Sequence, residues 1–273
     1  MTSLTVAAAQ FTGVEAWEEN LRSCLAFLER AADQGVDLLV LPEAAYRTRG
    51  EGGDETTDLQ PLTGPFVTEL AAATVNRDLT VVLGTLEKTE DHRPSNTLVA
   101  LAGGRTLAVY RKIHLYDAFT RRESDRVLPG DGPLAVFDVK GFGVGMMTCY
   151  DVRFPEVARA LAIHGADVLA LPASWVSGPL KEMHWDIMTR ARAVENTCYV
   201  VASGKTGPTR IGMSSVIDPL GVVTAQLGHE EGMVSTTISG EHLERVRQQL
   251  PLLQQRRMPV ALQPDPFDSV STT

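Results

Sequence analysis

Short apolar runs alternate with longer amphipathic stretches along most of this chain, and that alternation confines it to the α/β class. The runs Thr5–Ala9, Asp37–Leu41, Thr80–Thr85, Asn96–Leu101, Leu107–Tyr110, Phe142–Met147, Val168–Leu171, Tyr199–Ser203, Ser214–Ile217 and Gly232–Thr237 read as strands. They are rich in Val, Leu and Ala, as suits strands covered on at least one face. Between them, Ala16–Gln34 puts Trp17, Leu21, Cys24, Leu25, Leu28 and Ala32 on one helical stripe, with Gly35 as a stop. Phe66–Asn76 and Pro155–His164 read as shorter helices. Met183–Asn196 is another, with Ile187, Ala191 and Val194 on one side, and Glu241–Gln249 is a charged helix before Pro251.

The run from Gly35 to Glu43 echoes the run from Gly165 to Ala173, each behind a strand and a helix. Two related strand–helix–strand units are one account, with Gln10 and Cys149 at matching strand ends; chance similarity of buried strands is the other. No repeat array is visible, and no Pro/Ser/Gly-rich linker divides the chain. One domain is therefore expected over residues 1–257. Residues 258–273 lose periodicity and carry three prolines, Pro259, Pro264 and Pro266, so an extended tail is expected, either frayed or ordered against a partner copy.

A chain of 273 residues can bury roughly three quarters of its unfolded surface without staples. Its 25 Lys and Arg against 34 Asp and Glu give a net charge of -9, which argues against a nucleic-acid or anionic-membrane partner. A small acidic ligand in a local basic pocket stays possible. Cys24, Cys149 and Cys198 make no disulfide framework and no CxxC pair, which favours a reducing compartment. The opening MTSLTVAAAQF lacks the basic segment and long apolar core of a signal peptide, and no run reaches membrane-spanning length. A cytoplasmic location is expected.

Four apolar runs end in a polar residue: Glu43, Lys112, Cys149 and Ser174. In α/β sheets, ligands collect beyond the carboxyl ends of strands. A carboxylate, an ammonium and a thiol delivered there form a reactive set. Glu can take a thiol proton, Lys can hold a developing oxyanion, and the helix opening near Pro155 would favour a thiolate at Cys149. Each residue also has an ordinary account: a strand cysteine as core filler, Glu43 as a solvated loop residue, Lys112 as an edge charge. Spacing does not choose between them. The six histidines form no metal-binding spacing, and neither a P-loop, a GxGxxG turn nor a GxSxG elbow is present.

Leu41-Pro-Glu43, Tyr110-Arg-Lys-Ile-His-Leu115 and Cys149-Tyr-Asp-Val-Arg-Phe-Pro-Glu156 resemble, in order, the three signature blocks of the nitrilase, or carbon–nitrogen hydrolase, superfamily. His184-Trp185, Arg190 to Asn196 and Gly212 to Gly221 are similar to it as well. The resemblance implies a four-layer α-β-β-α sandwich with two mixed sheets face to face. It implies Glu43 as general base, Lys112 as oxyanion stabiliser, Cys149 as nucleophile, and Glu123 as a second glutamate oriented toward Lys112. The Tyr150 N–H would complete the oxyanion hole. Thiolate attack on an amide would expel ammonia and leave a thioester, which water then hydrolyses. No metal or organic cofactor is implied.

The block after Cys149 is most similar to the omega-amidase and deaminated-glutathione amidase branch, which implies a small, carboxylate-bearing amide. Arg153 is the first candidate for the cation such a substrate wants, with a loop-shaping role as its alternative. Arg121, Arg122 and Lys181 follow, and Tyr46, Tyr116 and Trp175 are candidate walls. An N-carbamoyl hydrolase or nitrilase of the same fold is the competing reading, and a non-catalytic binding member a third. The resemblance also implies a homodimer or larger homo-oligomer.

Overall fold

A computed structural model of the chain describes residues 2–48, 58–119 and 121–260. The elements run β1 (Ser3–Gln10), α1 (Trp17–Asp33), β2 (Leu38–Val40), α2 (Pro65–Ala73), β3 (Thr80–Glu87), β4 (Ser95–Ala102) and β5 (Arg105–Arg111). A two-stranded hairpin follows, β6 (Asp117–Ala118) and β7 (Arg121–Arg122), then β8 (Val136–Val139), β9 (Phe142–Met146), α3 (Pro155–Ile163), β10 (Val168–Ala173) and α4 (Lys181–Asn196). The chain continues through β11 (Tyr199–Gly204), β12 (Ser215–Ile217), β13 (Val223–Gln226), β14 (Gly232–Ser239), α5 (Gly240–Gln249) and α6 (Leu252–Gln255).

Two six-stranded sheets result, in the orders β14-β1-β2-β3-β4-β5 and β13-β12-β11-β10-β9-β8. Each holds a parallel triplet, β1-β2-β3 in one and β9-β10-β11 in the other, flanked by antiparallel strands. The two echoing runs supply β2 and β10, the middle strands of the two triplets, which gives the similarity a structural counterpart. Three apolar clusters bind the layers. Leu4, Val6, Val40, Val82 and Leu98 of one sheet meet Val144, Met146, Val168, Ala170 and Val201 of the other. Leu21, Cys24 and Leu28 of α1, with Phe66 and Leu70 of α2, cover the first sheet's outer face, and α3 and α4 cover the second's. Burial on both faces is why these strands read as continuous apolar runs. The architecture is the expected α-β-β-α sandwich.

Three departures have physical causes. Strands β8 and β13 were not expected, because neither forms an apolar run: β8 carries the exposed Asp138 between Phe137 and Val139, and β13 alternates half-buried with exposed residues. The short α6 follows Pro251, and residues 261–273 of the expected tail lie outside the described residues. The Ile187–Val194 stripe of α4 faces outward: Met183, Ile187 and Val194 are exposed, while Trp185, Thr189, Arg192, Ala193 and Asn196 are buried. Among the described residues no helix is long and apolar enough to cross a membrane.

Candidate active site

Strands β2 and β5 of one sheet and β9 and β10 of the other end at a common cleft, which gathers Glu43, Lys112, Cys149 and Ser174. Glu43 follows Pro42 just beyond β2, where Gly84 of β3 lets its backbone approach. A Cβ on Gly84 would lie 2.7 Å from both Glu43 Cα and Ala44 N. Backbone cannot yield as a flexible side chain does, so Gly84→Ala is expected to displace Glu43 and destabilise the fold by about 1–3 kcal/mol. A urea midpoint unchanged from wild type would refute that.

Lys112 continues β5, its N–H bonded to Asn96 O at 2.8 Å and its carbonyl accepting from Gly130 N at 2.7 Å. Cys149 stands three residues past β9 in the left-handed region, at φ 46°. A non-glycine residue there carries strain, of order 1–3 kcal/mol, and persists only where its surroundings fix it. Here a capping box fixes it, with Thr148 and Asp151 bonding each other's backbone. Asp151 is fully buried and also accepts from Tyr110 Oη at 2.8 Å and lies 2.9 Å from His114 Nδ1. The ring of His114 stacks on Phe154 at 3.7 Å. One carboxylate thus ties both flanks of Lys112 to the turn that carries Cys149.

Within the cleft, Lys112 Nζ donates to Glu43 Oε1 and Glu123 Oε2, both at 2.9 Å. Glu43 Oε2 accepts from the Ser174 N–H at 2.7 Å, and Glu123 Oε2 from the Tyr116 N–H at 2.7 Å. Asn96, which the sequence reading missed, donates to Glu43 Oε1 at 2.8 Å and Glu123 Oε1 at 3.1 Å. A polar triplet, Ser95-Asn96-Thr97, opening a strand that continues in Leu, Val and Ala was the available signal, since buried polar groups need partners. The Cys149 thiol hydrogen-bonds Glu43.

Burial pushes the Glu43 carboxyl up, but the Lys112 charge and hydrogen bonds from Lys112, Cys149 and Asn96 outweigh it and hold Glu43 below its ordinary value. Burial would lower Lys112, yet Glu123, Glu43 and Cys149 raise it well above the ordinary lysine range. Burial, then the Glu43 charge, pushes the Cys149 thiol well up. The resting arrangement is carboxylate, ammonium and thiol. The thiolate expected from a nearby helix end is therefore corrected: Cys149 opens a short 3-10 helix, Cys149–Arg153, ahead of α3, yet burial beside a carboxylate outweighs it and the thiol keeps its proton.

Two expected site residues lie elsewhere. Tyr46 is fully buried in the helix–sheet core, stacked on Trp17 and edge-on to Phe66, because the turn after Glu43 sends its ring toward α1 and α2. Arg153 is absent from the cleft lining. The turn after Cys149 curls it beneath the rings of Trp175 and Tyr150, with its Cζ 4.9 Å and 5.8 Å from their centroids. Trp175, Tyr150, Tyr116, Arg121 and Lys181 do line the cleft, whereas Arg122 points to solvent beside Asp125. Among the described residues, seven Lys or Arg side chains line it against two carboxylates, so an acidic protein presents a basic cleft. No cluster of three or more His, Cys, Asp or Glu suited to a metal occurs among the described residues.

Residues 5–248 match the carbon–nitrogen hydrolase family. A deaminated glutathione amidase from Escherichia coli O157:H7 is 42% identical over 255 residues, covering 93% of this chain and 97% of that protein. XC1258 from Xanthomonas campestris, a CN-hydrolase superfamily protein with an arsenic adduct in its active site, has a TM-score of 0.85 at 26% identity, covering 96% of this chain and 100% of that one. An amidase from Nesterenkonia sp. AN1, in a mutant with the acetamide moiety of fluoroacetamide added covalently at the active-site cysteine, has a TM-score of 0.78 at 25% identity, covering 93% and 94%. By sequence match and by its two-sheet sandwich, this chain is an enzyme that belongs to the carbon–nitrogen hydrolase family.

Proposed function

We propose that the enzyme hydrolyses the amide bond of a small, carboxylate-bearing amide, with Cys149 as nucleophile, Glu43 as general base, Lys112 as oxyanion stabiliser and Glu123 orienting Lys112. The observation that carries this reading is the continuous hydrogen-bonded set of Cys149, Glu43, Lys112 and Glu123 in one cleft. Glu43 takes the thiol proton as sulfur attacks the amide carbon. The resulting oxyanion is held by the Lys112 ammonium and the Tyr150 N–H. Collapse breaks the carbon–nitrogen bond, with the proton passing from Glu43 to the leaving nitrogen, and leaves a thioester. Water, losing its proton to Glu43, attacks that thioester, and sulfur departs and recovers the proton.

The basic cleft supports an acid-bearing substrate, as does likeness to a deaminated glutathione amidase. A panel of deaminated glutathione, alpha-ketoglutaramate, short aliphatic amides, N-carbamoyl amino acids and nitriles, scored for released amine, ammonia and carbon dioxide, tests the reading. Hydrolysis of an acid-bearing amide is the expected result. Carbon dioxide from carbamoyl substrates alone, or turnover of nitriles but not amides, would overturn it.

Cytoplasmic residence and pairing of two copies belong to the same proposal. The outward stripe of α4 meets Leu220 and Val222, 49% and 54% exposed, on a turn held to α4 by Arg190 Nη1 bonding Gly221 O at 2.8 Å. A continuous apolar patch of this kind suits a self-complementary interface. Sedimentation equilibrium is expected to show a dimer that Ile187→Glu weakens.

A further inference from the structure

We infer that Lys181, held in an aromatic box at the cleft wall, is the residue that binds the substrate's remote carboxylate and so sets the enzyme's preference for acid-bearing amides. This rests on the amide-hydrolase reading above and adds the group that selects the acid.

The backbone places Lys181 with little freedom. It is the first residue of α4, directly after Leu180 in the left-handed region at φ 61°. Its N–H bonds Gly178 O at 3.1 Å, and its carbonyl accepts from the Trp175 indole N–H at 3.1 Å. The side chain then runs back along the cleft and is only 7% exposed. Its ammonium donates to Tyr116 Oη at 2.9 Å and lies 4.1 Å from the centroid of Phe119, with Tyr116 and Trp175 at 5.1 Å and 5.7 Å.

No carboxylate among the described residues pairs with it, whereas the other two lysines of the cleft are engaged by a pair of carboxylates or by three loop acceptors. Lys112 is held between Glu43 and Glu123. Lys205 directs its ammonium at Ala44 O, Arg47 O and Thr48 Oγ1, bracing the loop after Glu43. A buried ammonium without a counter-charge is costly. Ring faces return only about 0.5–2 kcal/mol, against a desolvation penalty of several kcal/mol. An anion entering the cleft restores the balance, and a carboxylate matches two remaining N–H donors between apolar walls. The ring faces also favour a methylene chain leading from that carboxylate toward Cys149.

The test compares glutaramate with pentanamide, in which a methyl group replaces the carboxylate. Lys181→Met is expected to lower the ratio of kcat/KM values, glutaramate over pentanamide, by about 10- to 100-fold, chiefly through KM for glutaramate, as fits loss of one charged hydrogen-bonding group. Lys181→Glu is expected to shift preference toward 5-aminopentanamide, an outcome that a merely structural lysine does not produce. Lys181→Gln, which keeps a donor for Tyr116 without the charge, serves if the Met variant fails to fold. In parallel, calorimetry measures glutarate binding to Cys149→Ala protein with and without Lys181→Met. An unchanged ratio together with unchanged glutarate affinity would overturn the inference. Glutarate binding that depends on Lys181, in an enzyme that turns over no amide, would uphold the carboxylate site and sink the reaction assigned to it.

Discussion

Cys149→Ala is expected to lower kcat on amides by on the order of 10^4- to 10^6-fold, the scale on which removing a nucleophile acts when its partners are left without a reaction to assist. Fold should survive, because the turn is held by Thr148 and Asp151 and not by the sulfur. Cys149→Ser is expected to be nearly as inactive. Glu43 sits below its ordinary carboxylate value, which makes it a weak base for an alcohol, and a hydroxyl gives up its proton far less readily than a thiol. Mass spectrometry of wild type stopped during turnover should find the acyl group on Cys149. Alanine protein that keeps more than about a hundredth of wild-type kcat would exclude the thioester path.

Lys112→Met is expected to fail in two separable ways. Loss of an oxyanion donor lowers kcat by about 10²- to 10³-fold. The second effect is on stability, because Lys112 is 2% exposed and stands between Glu43 and Glu123. Removing one partner of a buried pair costs about 3–5 kcal/mol, most of it from the charge left behind. In wild type Glu43 is held below its unfolded value of 4.5, so its contribution to stability is present above that value and lost as pH falls through the folded one. Without the ammonium, burial remains as the dominant influence and pushes Glu43 up. Its contribution is then present below the unfolded value and lost as pH rises through the folded one. The gap in melting temperature between wild type and variant should therefore widen from pH 5 to pH 8. A gap that stays constant would mean that Lys112 does not hold Glu43 in its ionised form.

How much of this was legible in the sequence depended on whether a feature is local. Glu43, Lys112 and Cys149 stand where apolar runs stop, but position left each an ordinary account, and the resemblance of their three blocks to the nitrilase superfamily is what implied their roles. Covered strands were legible from continuous Val, Leu and Ala, while their arrangement in two facing layers came from the same resemblance. Strands β8 and β13 were not, because Asp138 interrupts the first and polar residues alternate through the second. Tyr46 and Arg153 were misplaced because both follow tight turns, and sequence spacing does not say toward which layer a side chain leaves a turn. Asn96 was overlooked at the start of its strand, where it stands between Ser95 and Thr97.

The sequence by itself determined which apolar runs end in a carboxylate, an ammonium and a thiol, and that amphipathic helices alternate with them; the two facing sheets were implied by the resemblance to the nitrilase superfamily. Periodicity and the side-chain types at run ends are local properties, so they can be read without coordinates. Only the tertiary structure decided which charges meet. Glu43 and Lys112 are 69 residues apart in sequence and 2.9 Å apart in space, and Ser174 adds its N–H to Glu43 from the other sheet. The same packing removed Arg153 from the cleft and put Lys181 into it. Protonation states followed from that packing as well, because burial and neighbouring charge set them, and neither exists until the two sheets close on each other.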